Sequence, residues 1–379
     1  MRKKVRVSAP SRICLFGEHQ DYLGLEVIAA AINLRYTATA VERSDSQIHI
    51  RIRDEKDNFL GVPSGHHGYQ HIMIDLFQPI VYENNRDYLK SSINVIRRLG
   101  YPLDKGFDIT IDSNVPIGKG MSSSSVMIVT FIKLLLEMVD AREKDDPFQL
   151  AKLGFLAEVK EFDEPGGMMD HCCAAYGGVL HISFGESPVV ESIETKIPGS
   201  FILFDSLQQK DTTRVLANSK IPVLRAMEKL SREFGIKNIR ELMDMEESGA
   251  CLRTLDEEEK RKLAANIDNY KILRKGLRTL QGSPVDEATL GELLRRHHAN
   301  LRDGLGVSTP LIEEIFREGY RKGALGGKIN GSGGGGCGYL YARKEDTEAV
   351  TKGIAAMGYP VMELSVDRGA VKELEEYVE

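Results

Sequence analysis

PIGKGMSSSSVMIVTFIKLLLEM, Pro116–Met138, sets two glycines and four consecutive serines directly against an apolar run. The first amide groups of a helix have no partner inside it, and the helix dipole concentrates positive charge there. Glycines ahead of such a terminus let the backbone curl around an anion, and hydroxyls add donors and a possible magnesium ligand. One serine would suffice as an N-cap; four exceed what capping requires. Gly118, Gly120, Ser122, Ser123 and Ser124 therefore read as a phosphate cradle at a helix start. The spacing is not that of a Walker A loop, because no GK[ST] follows at the required distance. The run from Val126 to Val139 carries Lys133 and is shorter than the roughly twenty residues that cross a bilayer, which places it in a core.

Working outward, strand signals alternate with helix signals. Phe107–Ile111 is expected to be a strand leading into the cradle, and Asp87–Leu99 an amphipathic helix before it. Val5–Leu15 and Val27–Ala40 read as strands around a loop, and QIHIRIR, Gln47–Arg53, alternates with period two. Residues 61–72, with His66, His67 and His71, read as a surface loop, with a fortuitous metal site as the alternative. Two strands near 179–183 and 201–205 mark a change of domain. Ser219 to about Arg302 is charged and helical, and the tail returns to strand (Gly338–Ala342), helix (Glu345–Met357) and strand (Val361–Val366).

At 379 residues the chain fits two domains, expected at 1–190 and 191–379. A formal charge of -6 gives no hint of a nucleic-acid surface. The N-terminal MRKKVRVSAP has no long apolar region behind it and lacks the pattern of a secretory signal. Five cysteines without CxxC spacing argue against a disulfide framework or a zinc site. A cytoplasmic protein, monomer or homodimer, without membrane or nucleic-acid partner is expected.

Three further stretches carry chemistry. APSRICLFGEHQDYLG, Ala9–Gly24, gathers Arg12, Glu18, His19 and Asp21 in or beside one loop, where the carboxylates and the imidazole could bind metal or accept hydrogen bonds from sugar hydroxyls. EPGGMMDHCCAAYGG, Glu164–Gly178, sets Asp170 between a Gly-Gly turn and a short helix, where an N-cap is the plainer reading. KINGSGGGGCGYLYA, Lys328–Ala342, is too tightly flanked by strand-like residues to be a linker and reads as a turn packed against the phosphate loop.

Together these stretches resemble the motifs of the GHMP kinases, and among them the galactokinases. Arg12 with Gly17-Glu18-His19-x-Asp21-Tyr22 is similar to GRxNLIGEHxDY, Pro116–Ser125 to PxGxGLSSSA, Gly167–Asp170 to GIMD, His298–Pro310 to HxSLRDDYxVSxP, and Lys328–Gly338 to RMTGAGFGGC. The resemblance implies an α/β (α+β) two-domain fold with the active site in the cleft between domains. It implies ATP and Mg2+, a sugar acceptor, Asp170 as catalytic base and Arg12 as its charged neighbour. By the same resemblance Glu18, His19 and Asp21 bind sugar hydroxyls, Gly118, Gly120 and Ser122–Ser124 hold nucleotide phosphates, and Ser124 and Glu158 match magnesium ligands.

The sequence departs from the pattern at SEYxxRR, whose tyrosine falls on Ile221, and at the double glycine after DY, reduced to Leu23-Gly24-Leu25. A lost hydroxyl can change substrate choice strongly. Galactose stands first among acceptors, with galacturonate, arabinose or a heptose as alternatives. A non-catalytic ligand sensor is the competing class; intact Arg12, four serines and Asp170 favour an enzyme. A dinucleotide-binding oxidoreductase is disfavoured by the lack of GxGxxG after a strand.

Overall fold

The computed structural model describes residues 1–53, 69–164, 166–185, 187–209, 212–245 and 251–379. Two sheets organise them. The larger has eight strands, ordered β12-β1-β2-β5-β3-β4, with β6 paired to β2 and β7 to β6. They are β1 Arg2–Phe16, β2 Val27–Glu42, β3 Gln47–Arg53, β4 Tyr69–Asp75, β5 Phe107–Ser113, β6 Val179–Ser183, β7 Val189–Ser192 and β12 Val371–Val378. The smaller sheet is antiparallel, β11-β8-β10-β9, built from β8 Ser200–Asp205, β9 Gly326–Ile329, β10 Cys337–Ala342 and β11 Val361–Leu364.

Helices α1 Tyr88–Arg98, α2 Ser123–Met138, α3 Pro147–Phe155 and α4 Met169–Tyr176 accompany the larger sheet, and α2 and α4 lie against β1 and β2. α2 is apolar nearly all round, so it has to be enclosed rather than to lie on a surface. Phe131, Ile132, Leu134, Leu135 and Leu136 are all fully buried on it. Lys133, the one cation in that run, is buried too; Glu137 at 2.7 Å and Asp145 at 3.1 Å neutralise it.

The second half holds α5 Thr212–Phe234, α6 Ile239–Asp244, α7 Glu257–Leu280, α8 Glu287–Ala299, α9 Pro310–Arg321 and α10 Thr347–Ala356. α7 begins with a capping box, Asp256 to the Glu259 amide and Glu259 back to the Asp256 amide, which satisfies two orphan donors at once. α9 and α10 bury Ile312, Ile315, Phe316, Val350 and Ile354 with the smaller sheet.

Two expectations need correction. The division at 190 does not separate the sheets, because β12 returns from the far end of the chain to pair with β1, Arg2 opposite Val378. β12 was not foreseen: VKELEEYV is charged and exposed on both faces, as protected edge strands are, so no apolar period marks it. The expectation of a loop over 61–72 does not hold for its last residues, since 69–72 belong to β4 and His71 lies opposite Arg51. His66 and His67 lie outside the described residues.

Candidate active site

The site starts at the end of β1. At Gly17 the backbone turns with φ 97°, and a Cβ there would lie 2.7 Å from the Glu26 carbonyl oxygen, so only glycine fits. His19 follows with φ 63°, an uncommon left-handed conformation for a side-chain-bearing residue. The loop closes in a short 3-10 turn, Asp21–Leu23, ended by Gly24.

Each polar side chain of this loop has a distinct setting. Glu18 is buried and its Oε2 lies 2.8 Å from Nζ of the fully buried Lys328, which also donates to the Cys14 carbonyl at 2.8 Å. Burial pushes the Glu18 carboxyl up, but Lys328 and then Arg12 outweigh it and hold it below the ordinary value. His19 Nε2 is 3.0 Å from the Ser332 carbonyl oxygen and Nδ1 is 3.3 Å from Ser219 Oγ on α5. A carbonyl can only accept, so Nε2 carries a proton; the Ser219 hydroxyl, beside Nδ1, donates its own proton to the Val215 carbonyl at 2.9 Å. Asp21 is pushed up to about 6, first by burial; the Tyr22 amide opposes this, and the charges of Asp170 and Glu18 reinforce it.

The serine loop joins β5 to α2. Gly118, Gly120 and Ser122 all have positive φ, 68°, 88° and 57°, and the helix begins at Ser123. Four neighbours brace it: Ser11 Oγ donates to the Met121 carbonyl at 2.6 Å, Arg12 Nη1 and Asn330 Nδ2 each to that of Gly120 at 2.9 Å, and the Cys337 amide to that of Lys119 at 2.9 Å. A Cβ at Gly331 would come within 3.0 Å of Gly120, so the glycine run does pack on the serine loop. The Ser122 hydroxyl is buried with no partner among the described residues. An orphaned donor at a helix start suits an incoming phosphate oxygen.

Asp170 is the second residue of α4, not its cap, which is Met168. Arg12 Nε donates to Asp170 Oδ1 at 2.8 Å, while 26% of the Asp170 side chain stays exposed. Glu158 lies in a π-type turn after α3, 2.7 Å from His171 Nε2. Burial raises its pKa, yet His171, followed by the Ser124 and Ser125 hydroxyls, brings it below the ordinary value. A carboxylate kept ionised beside a serine hydroxyl is an oxygen pair of the kind magnesium takes. Among the described residues no three His, Cys, Asp or Glu side chains converge, so a metal held here would complete its shell with phosphate oxygens and water.

Residues 87–178 match the GHMP kinases N terminal domain, 285–359 the GHMP kinases C terminal, and 2–42 the galactokinase galactose-binding signature. The chain belongs to the GHMP kinase superfamily. It is a small-molecule kinase, with the mixed α/β fold of that group. This GHMP kinase is 27% identical over 373 residues to a mevalonate kinase of Thermococcus onnurineus, covering 97% of each chain. It is 26% identical over 357 residues to a galactokinase of Ligilactobacillus salivarius, covering 91% of this chain and 87% of that one. Its fold matches the crystal structure of Lactococcus lactis galactokinase complexed with galactose, with a TM-score of 0.78 at 20% identity, over 97% of this chain and 95% of that one.

The kinase thus brings Arg12, Asp21, Asp170 and the serine loop to one place, while Glu18 is turned into a buried pair with Lys328. Sequence reasoning missed Lys328, Ser219, His171 and Asn330. Lys328 and Asn330 were inside a quoted motif and His171 directly follows Asp170, but nothing local shows that they point inward. Among the described residues no helix is long and apolar enough to cross a membrane.

Proposed function

We propose that this kinase transfers the γ-phosphoryl group of ATP to the anomeric hydroxyl of galactose or a galactose-configured sugar, giving the sugar 1-phosphate and ADP. The observation that carries the reading is the Arg12–Asp170 pair at 2.8 Å, a carboxylate held in one orientation beside the Asp21 loop and the serine loop. Asp170 accepts the proton of the attacking hydroxyl. Arg12 orients it and offsets charge on the transferring group, since phosphoryl transfer depends chiefly on positioning and electrostatics. Gly118, Gly120 and Ser122–Ser124 hold the phosphates through amides and hydroxyls. Ser124 and Glu158 are the residues to hold Mg2+, which when bound neutralises phosphate charge.

The galactose-binding signature over 2–42 supports a sugar acceptor. Asp21 can accept from ring hydroxyls, which rewards one stereochemistry and leaves unpaired groups for its epimers, while His19, its two nitrogens facing Ser332 and Ser219, braces the loop that presents Asp21. A second reading is phosphorylation of mevalonate, favoured by the mevalonate kinase relative that spans 97% of the chain.

A panel of galactose, glucose, arabinose, galacturonate, mevalonate and homoserine, each with ATP and magnesium, decides between them. Galactose is expected to exceed glucose at least tenfold in kcat/KM, about 1.4 kcal/mol, which one mispaired hydroxyl can supply. Turnover confined to mevalonate or homoserine would overturn the sugar assignment.

A further inference from the structure

Lys119 sits between the two positive-φ glycines of the serine loop, and the motif assigns it no role. Its Nζ lies 3.2 Å from Oδ2 of Asp205, the last residue of β8 in the other sheet. Asp205 is fixed independently, because its Oδ1 accepts the Leu207 amide at 2.8 Å and its side chain is only 5% exposed. The Lys119 backbone is likewise pinned by the Cys337 amide. Its side chain is 23% exposed, and the ammonium at the end of a four-carbon stem is the member of the pair that can change partner. Beside it the loop is open, with no atom within 4 Å of the place a Gly118 Cβ would take.

We propose that Lys119 is a ligand of the nucleotide phosphates, kept at the loop by Asp205 and passed from that carboxylate to a phosphate oxygen when nucleotide binds. A lysine ammonium is a compact point charge with three donors, suited to a polyanion whose position shifts during transfer. A triphosphate carries several negative charges against the single one of Asp205, and at close range, between side chains that are mostly shielded from water, that difference decides the exchange. The inference rests on the reading of this loop as the phosphate cradle.

The two members of the pair then act with opposite sign. Lys119→Met is expected to weaken ADP binding, measured by calorimetry with magnesium, by about tenfold or more and to raise the ATP KM while leaving the acceptor KM unchanged. Lys119→Arg retains most of the affinity. Asp205→Asn frees the ammonium and tightens ADP binding at least twofold, and it has no such effect when combined with Lys119→Met. A bridge with only a structural role would make both single variants bind ADP more weakly, with parallel losses of Tm. That outcome, or Lys119→Met within twofold of the unaltered enzyme, overturns the proposal. The Ser123→Ala/Ser124→Ala variant separates the two readings. If it binds ADP normally, the hydroxyl part of the cradle reading fails while the test of Lys119 stands; if it binds poorly while Lys119→Met binds well, only the role of Lys119 fails.

Discussion

Arg12 Nε donates to Asp170 Oδ1 at 2.8 Å, joining the first strand to a helix 158 positions further along the chain. The same guanidinium donates through Nη1 to the Gly120 carbonyl, so one buried side chain sets both the carboxylate and the serine loop. Burial works against its charge, but the carboxylates of Asp170 and Glu18 more than compensate and keep it cationic.

If Asp170 takes the proton of the attacking hydroxyl, Asp170→Asn lowers kcat by roughly 10² to 10⁴ while ADP affinity changes little and Tm falls modestly, because the buried Arg12 loses one of its two carboxylates. Arg12→Lys keeps the charge but cannot make both bonds, so kcat falls and the ATP KM rises together. Steady-state kinetics with calorimetry checks both; near-normal turnover in Asp170→Asn removes the base assignment.

Ser123→Ala with Ser124→Ala removes hydroxyls but leaves the amides of the α2 terminus. The ATP KM and the magnesium concentration for half-maximal rate are expected to rise several-fold, with acceptor binding retained. An unchanged magnesium requirement would reduce these hydroxyls to caps.

Asp21 has a predicted pH signature. Its folded pKa of about 6 lies above the ordinary value of about 3.9. Between those values the folded state binds more protons than the unfolded one, so rising pH costs stability until Asp21 is ionised, above about 6. The ionised form accepts hydroxyl hydrogens best. The acceptor KM should therefore fall as pH rises through 6, and Asp21→Asn should flatten that step and raise Tm at pH 8 but not at pH 4. A flat KM profile in the unaltered enzyme, or a lower Tm for Asp21→Asn at pH 8, contradicts this.

Glu18 and Lys328 form a buried pair at 2.8 Å, so removing one charge strands the other. Lys328→Met is expected to cost about 3–5 kcal/mol in urea unfolding, and Glu18→Gln with Lys328→Met to recover part of it. Glu18→Gln should lower stability more than it raises the acceptor KM, in contrast with Asp21→Asn. The reverse ranking would return Glu18 to direct sugar contact.

What the sequence determined by itself was local. The alternation of Gln47–Arg53, the all-round apolar α2 and the Gly/Ser run at its mouth follow from period, burial and helix-end chemistry, each acting within a few residues. The same short range made Arg12, His19, Asp21 and Asp170 legible as motif residues. Which of them face one another was decided by tertiary structure. Lys328 reaches Glu18 across 310 positions and Ser219 reaches His19 across 200, and no local pattern encodes either distance. The pairing of β12 with β1 is of the same kind: a charged strand with no apolar face is placed by the open edge it covers, and that edge exists only once the rest of the sheet has formed.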